Sequence, residues 1–213
     1  MSDTQGEESV VITERSIHAY LEDLAAREPT PGGGSVAALV GALAAGLAAM
    51  VANFTRGSKK YAAVAPEVEH RLAQLGHSLQ TLEELVQKDI DAYGAVGVGF
   101  AMPRGTAAER STRSSHIQRA SVAATEVLFE IADACTDVSG HAMWLAKHGN
   151  TNLVSDAVMA VLLTDAALRG TVVTIESSLS FLKDANVVAA MRDRLVAYER
   201  VSRIREEALS LTR

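Results

Sequence analysis

The chain of 213 residues carries a formal net charge of −6 and a pI near 5.5, which argues against nucleic acid as a main partner, because phosphate binding needs a basic face. Apolar residues make up 48% and aromatic residues only 4%, with four prolines, a balance that favours one all-helical domain over a sandwich or barrel. The single cysteine, Cys135, fits a reducing cytoplasm and reads as a small core residue rather than a nucleophile.

Residues 1–12 are acidic and polar rather than basic then apolar, so they read as a disordered lead-in, not a secretory leader, to a helical domain spanning 13–213. Thr13 is placed to cap a first helix from Glu14 to about Arg27, with Ile17, Leu21 and Leu24 on one face. Pro29-Thr-Pro-Gly-Gly-Gly-Ser35 follows, joined directly to an uncharged Ala/Gly/Val helix from Val36 to Phe54. The glycines allow close backbone approach to a ligand and φ > 0, and Ser35 is a good N-cap. The free N–H groups of the helix start form an anion site. Small side chains let neighbouring backbones come close, so this helix is expected at the buried centre of the bundle. Its length is near the roughly 20 residues of a membrane span, but its Ala/Gly composition and Asn53 assign it to a protein interior.

Gly57 breaks that helix, and Pro66 suits the first turn of a third one. The third runs through Val68, Leu72, Leu75, Leu79 and Leu82 to about Val98, before Met102-Pro-Arg-Gly105 stops it. Thr106 caps a long segment reaching Lys147, with Gly140 a candidate interruption. After the turn at His148-Gly149-Asn150, a helix runs from about Leu153 to Leu182; its β-branched Val172-Val-Thr-Ile175 yields to the surrounding helical period. An amphipathic outer helix, Asn186 to Leu209, completes an all-α bundle of about six helices.

Several chemistries find little support. The six histidines contain no His-x-x-x-His pair or Cys/His cluster, so no metal site is expected. Gly32–Gly34 lacks the Lys-Ser/Thr of a P-loop and follows no strand. Gly94, Gly97 and Gly99 read as packing positions, and Trp144 as a core or interface anchor. Asp89 and Asp91 lie two apart on one helix and point in different directions, one toward a pocket and the other toward solvent. Lys60 follows the Ala-rich helix, where a cation is favourable. Asn150 and Asn152 lead into Ser155-Asp156 at a helix start, an arrangement that serves equally as a cap or as a ligand-facing edge.

Four stretches, in this order, resemble the formiminotetrahydrofolate cyclodeaminase and methenyltetrahydrofolate cyclohydrolase family: Pro29–Ser35, Gly57-Ser-Lys-Lys-Tyr61, Asp89-Ile-Asp-Ala-Tyr93, and Gly149-Asn-Thr-Asn-Leu-Val-Ser-Asp156. The resemblance runs from about residue 15 to the C-terminus. It implies a cytoplasmic all-α homodimer with pockets near the subunit contact, a tetrahydrofolate derivative as substrate, and neither metal nor prosthetic group. It also implies Asp89, Asp91 and Lys60 as catalytic residues. Pro31, Gly32, Gly33, Gly34, Ser35, Tyr61, Arg104, Asn150, Asn152 and Asp156 are the implied substrate-binding set.

The two reactions of such a family share a tetrahedral centre at the carbon bridging N5 and N10. Cyclohydrolase adds water to the methenyl cation and opens it to the 10-formyl compound; cyclodeaminase closes a formimino group and expels ammonia. Each calls for a carboxylate at a cation and a proton donor for the departing nitrogen. Hydrolysis is placed slightly ahead because the chain contains no formiminotransferase segment. The pattern departs from the resemblance at Thr174 and Ser178, which stand for asparagines with Glu176 between them, and at Asp91, Tyr93, Leu128, Val158 and Arg104. A family member redirected to another cyclisation or ring opening, and a non-catalytic folate-binding dimer, are therefore carried as alternatives.

Overall fold

Apolar residues recur at helical spacing through nearly the whole chain, and every regular element within residues 12–212, the part described by the computed structural model, is helical. The α-helices are α1 (Ile17–Ala25), α2 (Gly33–Thr55), α3 (Ala65–Ala101), α4 (Ala107–His148), α5 (Val154–Leu179), α6 (Ala185–Leu195) and α7 (Val201–Ser210). Short 3-10 turns occupy Ile12–Glu14, Lys59–Val64, Thr151–Leu153 and Val196–Arg200. The expected lead-in lies outside the described residues except for Ile12, which is buried and donates its N–H to Gln87 Oε1 at 3.0 Å.

Alanine makes α2 the axis of the bundle. Ala38, Ala44, Ala45, Ala48, Val51 and Ala52 are wholly buried where α2 packs on α3, α4 and α5. The burial is one-sided, however: Leu43 and Phe54 are 57% and 63% exposed, on a face that also carries Leu39, Leu47 and Met50. Both α2 and the span 151–179 are long and apolar enough to cross a membrane by length and composition, with 56% and 50% of their most apolar stretches buried inside the bundle.

The helix ends follow local chemistry, in places other than expected. Ser16, not Thr13, caps α1, its Oγ accepting from the Ala19 N–H at 3.1 Å. Thr13 is taken up in the preceding 3-10 turn. Ile17 and Leu21 are 80% and 54% exposed, so α1 reaches the core through the buried Tyr20 and, of the expected face, through Leu24. Thr106 and Glu109 form a reciprocal cap on α4 at 3.1 and 2.7 Å. Gly140 does not interrupt α4: Val138 and Ala142 are fully buried on either side, and that packing outweighs the ~1 kcal/mol helix penalty of one glycine. Past the turn, the β-branched run stays helical because Thr171 and Ile175 are buried one turn apart.

The last expected helix is instead α6 and α7 with a 3-10 turn between. At that turn Tyr198 is buried beside Phe129, and its hydroxyl donates to Asp133 at 2.5 Å. A continuous amphipathic helix is thereby exchanged for one additional core anchor.

Candidate active site

The N-terminus of α2 is where backbone and chemistry meet. Gly32 is the N-cap, and Ser35, expected in that role, stands at the third helical position and bonds back to it. Ser35 Oγ accepts from the Gly32 N–H at 3.2 Å and donates to the Gly32 carbonyl at 3.0 Å. With that proton committed, the Tyr20 hydroxyl is left to donate to Ser35 Oγ across 3.3 Å. The turn is thus fastened from α1, and Ser35 is completely buried.

None of these glycines has positive φ; in this chain that conformation occurs at Gly57, just beyond α2. What the turn requires is close approach. A Cβ on Gly34 would lie 2.1 Å from Asp89 Oδ1, whereas one on Gly33 would meet Thr174 Oγ1 at an ordinary 3.7 Å. Gly34 exists so that the carboxyl of α3 can press against the helix start.

Asp89 is 9% exposed and receives the Ser35 N–H. Burial raises its pKa, and the Ser35 bond opposes that rise. Burial also raises the Tyr20 pKa, Ser35 opposes it, and the nearby Asp89 adds to it. A cavity of about 230 Å³ opens beside Asp89, lined by Thr30, Gly32, Gly33, Gly34, Tyr93, Thr174 and Ser178 with Ala124 and Leu128. A larger groove, about 490 Å³, lies along α1, α2 and α3, but it is lined mainly by aliphatic side chains such as Leu39, Leu43, Leu47 and Met50. The smaller cavity is the better candidate because a carboxyl, free helix-start N–H groups and hydroxyls converge there.

A second polar group lies at the other end of α2, about 33 Å away along a helix of 23 residues. Lys60 Nζ donates to Thr151 Oγ1 at 2.9 Å, and the Tyr61 oxygen accepts the Thr151 N–H at 2.9 Å. These bonds to Thr151, aided by Lys60, lower the Tyr61 pKa to about 8. Asn150 works as a clasp: its N–H donates to Thr55 Oγ1, its Nδ2 to the Phe54 carbonyl, and its Oδ1 accepts from the Asn152 N–H.

A family model described as formiminotransferase-cyclodeaminase matches residues 16–197. The chain belongs to the formiminotransferase-cyclodeaminase family. The methenyltetrahydrofolate cyclohydrolase of Methylorubrum extorquens is 36% identical over 169 residues, which are 79% of this chain and 81% of that protein. The formimidoyltransferase-cyclodeaminase of Rattus norvegicus is 30% identical over 149 residues, 70% of this chain but 28% of the longer relative. The crystal structure of formiminotetrahydrofolate cyclodeaminase from Thermotoga maritima superposes with a TM-score of 0.84 at 29% identity, covering 94% of this chain and 96% of that one.

Within this cyclodeaminase-family fold, the expected site residues separate. Gly32, Gly33, Gly34 and Asp89 line the cavity, with Ser35 buried directly behind the turn and Pro31 buried at its entry. Asp91 does not: it is exposed, and its Oδ1 accepts from Gln87 Nε2 at 2.8 Å, because two residues on a helix differ by over half a turn in direction. Arg104 lies beyond the end of α3, roughly 18 Å along the axis from Asp89 to Ala101 alone. Lys60, Tyr61, Asn150 and Asn152 belong to the far end, and Asp156 occupies the first turn of α5 nearby.

The lining residues outside the expected site include the polar side chains of Tyr93, Thr174 and Ser178. The signal for them was the spacing 89/93 and 174/178, one helical turn in each case. Both put a polar side chain over the same stripe as a neighbour already pointing into the cavity. Cys135 is buried against α2, and burial raises its pKa to about 12, as a core thiol requires. Among the described residues no group of three or more His, Cys, Asp or Glu side chains is disposed to hold a metal ion.

Proposed function

We propose that this chain hydrolyses the one-carbon bridge of a 5,10-methenyltetrahydrofolate to the 10-formyl compound in the cavity beside Asp89. The observation that carries the reading is the buried Asp89 carboxyl pressed onto Gly34 at the open start of α2. The similarity to a protein named methenyltetrahydrofolate cyclohydrolase, over 79% of this chain and 81% of that one, supports it. Ionised Asp89 faces the amidinium cation and takes a proton from the attacking water. Burial, which raises its proton affinity toward working pH, suits it to that exchange. The N–H groups of Gly33 and Gly34 receive a substrate oxygen. No bound metal or prosthetic group enters this chemistry.

The cavity is smaller than the roughly 300–1,000 Å³ of sites that enclose a whole drug-sized ligand. It therefore receives the reacting end of the substrate, and the remainder extends outward. We infer that a homodimer supplies the rest. The exposed apolar faces of α2 (Leu43, Phe54) and α5 (Met159, Val173) suit a second copy. Two copies packed with their α2 helices antiparallel bring the Lys60 end of one beside the glycine turn of the other. There Lys60 binds a substrate carboxylate or donates a proton. The acidic surface, the burial of half of each apolar helix and the thiol chemistry favour a soluble cytoplasmic enzyme with neither nucleic acid nor membrane as partner.

Cyclodeamination is the second reading, favoured by the likeness to the Thermotoga enzyme. The deciding experiment offers purified protein 5,10-methenyltetrahydrofolate and, separately, 5-formiminotetrahydrofolate, each against buffer, and follows the methenyl chromophore. Enzyme-dependent loss from the first establishes hydrolysis, and gain from the second establishes deamination. Silence in both from a folded protein overturns the proposal.

A further inference from the structure

We propose that Thr174 and Ser178 are positioning residues that hold the attacking water against Asp89, committing this pocket to hydrolysis in preference to ammonia release. The inference rests on the reading of the cavity as the site of the one-carbon bridge, and it is carried by where two hydroxyl protons go. Thr174 Oγ1 donates to the Gly170 carbonyl at 2.9 Å, and Ser178 Oγ donates to the Thr174 carbonyl at 2.9 Å. Each hydroxyl has one proton, so toward the cavity both present only lone pairs. Thr174 Oγ1 stands beside Gly33 and Asp89 beside Gly34, so hydroxyl and carboxylate flank successive residues of one turn. Ser178 follows one helical turn along the same wall.

A water molecule has two protons and two lone pairs. To attack carbon it must aim a lone pair at that carbon and give both protons to acceptors. Ionised Asp89 accepts one proton and a hydroxyl lone pair of α5 accepts the other, leaving the water oxygen free to face the bridge. The water oxygen then bonds to the amidinium carbon, whose π electrons move to nitrogen, while Asp89 takes the proton. The bond from that carbon to N5 breaks next, its electron pair staying on N5, which takes the proton from Asp89. The carbon-bound hydroxyl releases its own proton to solvent as the formyl carbonyl forms. The balance is methenyl cation plus water to 10-formyl compound plus one proton. Cyclodeamination has no attacking water to hold, since N10 closes on the formimino carbon, so it has no use for these acceptors.

The test is steady-state kinetics on 5,10-methenyltetrahydrofolate with Thr174→Val, Ser178→Ala, the double variant and Thr174→Ser, with thermal melting as the folding control. Side-chain bonds to the preceding turn add little to a helix, so all four variants are expected to fold. Thr174→Val and Ser178→Ala should each lower kcat about five- to tenfold, the kinetic worth of one ordinary hydrogen bond, with KM within about twofold. The double variant should lose more, and Thr174→Ser should return to within about twofold of wild type. Unchanged kcat in the double variant, or a rise confined to KM, overturns the inference and leaves hydrolysis at this site standing. A wild-type protein inert toward the methenyl compound overturns both together.

Discussion

The two ends of α2 are built from opposite materials. At the start, backbone does the shaping: Gly34 lets Asp89 come closer than any side chain would allow, and the carboxyl is largely buried where it meets the cavity. At the finish, side chains nearer the surface do it: Lys60, Tyr61 and Asn150 are tied to Thr151, Thr55 and the Phe54 carbonyl. The buried end keeps a titratable carboxyl facing the cavity, while the other end spends its polar atoms on closing the helix. Burial therefore distinguishes the group available for proton transfer from the groups available for charge recognition.

The sharpest way to break this contrast is Asp89→Asn. It should lower turnover at least about 100-fold, the usual worth of a positioned acid or base, with the fold intact. Its stability should move the other way. The folded-state pKa of Asp89 is raised, so the folded protein holds this proton more tightly than the unfolded chain does. Stability consequently falls as pH rises from the ordinary aspartate value toward the raised one. Removing the ionisable group should raise Tm at pH 7, with the gain shrinking as pH falls through the raised value toward the ordinary aspartate value of about 4. Wild-type turnover should likewise decline on acidification at a higher pH than an ordinary aspartate would impose. A variant that keeps its activity, or that loses stability at pH 7, would show that Asp89 is structural.

Gly34→Ala should come next. The added methyl must displace the carboxyl, so activity should fall by tens of times, on the order expected for a displacement of about 1 Å at a catalytic group. Gly33→Ala, which meets only Thr174 at contact distance, should stay within a few-fold of wild type. Equal losses at the two positions would mean that the turn needs flexibility and not clearance.

That pair also marks what could be read from residues alone. The helical class, the Pro29–Ser35 turn, the Gly57 stop and the Thr106 cap are local features, and each follows from side-chain chemistry within four residues. Two acids two apart could be assigned to different directions, but which one faced inward depended on α2 lying against the Asp89 side of α3. The same tertiary fact hid Thr174 and Ser178, whose departure from the family pattern was visible while their place on the cavity wall was not. The break between α6 and α7 was equally invisible, because it serves Asp133 and Phe129, distant in sequence from Tyr198.

A smaller effect tests whether a second copy unites the two ends. Lys60→Met should cost about tenfold, since it removes one charged contact to an exposed part of the substrate. Co-expressing it with Asp89→Asn should give mixed dimers in which one of two sites is intact. Random pairing then restores about a quarter of wild-type turnover. Each variant purified alone would remain impaired, and no gain on mixing would confine Lys60 to its own chain's helix end.

The smallest change is expected in the Tyr61 titration, which isolates the exposed end from catalysis altogether. Bonds from Thr151 favour the phenolate and hold its pKa to about 8, against 10.0 for an ordinary tyrosine. Ultraviolet difference titration of the folded protein should show one tyrosine ionising near pH 8, and Tyr61→Phe should abolish that step. Lys60→Met should move it upward only slightly, because Lys60 contributes less than Thr151 and acts at a solvent-exposed site. The folded-state value lies below the unfolded one, so this group adds stability as pH rises through 8 toward 10, opposite in sign to Asp89. Since Tyr61 is about 33 Å from the cavity along α2, kcat in a single chain should not follow its ionisation. A kcat profile that did follow it, and that lost the inflection in Tyr61→Phe, would place the far end of a second copy within reach of the reacting carbon.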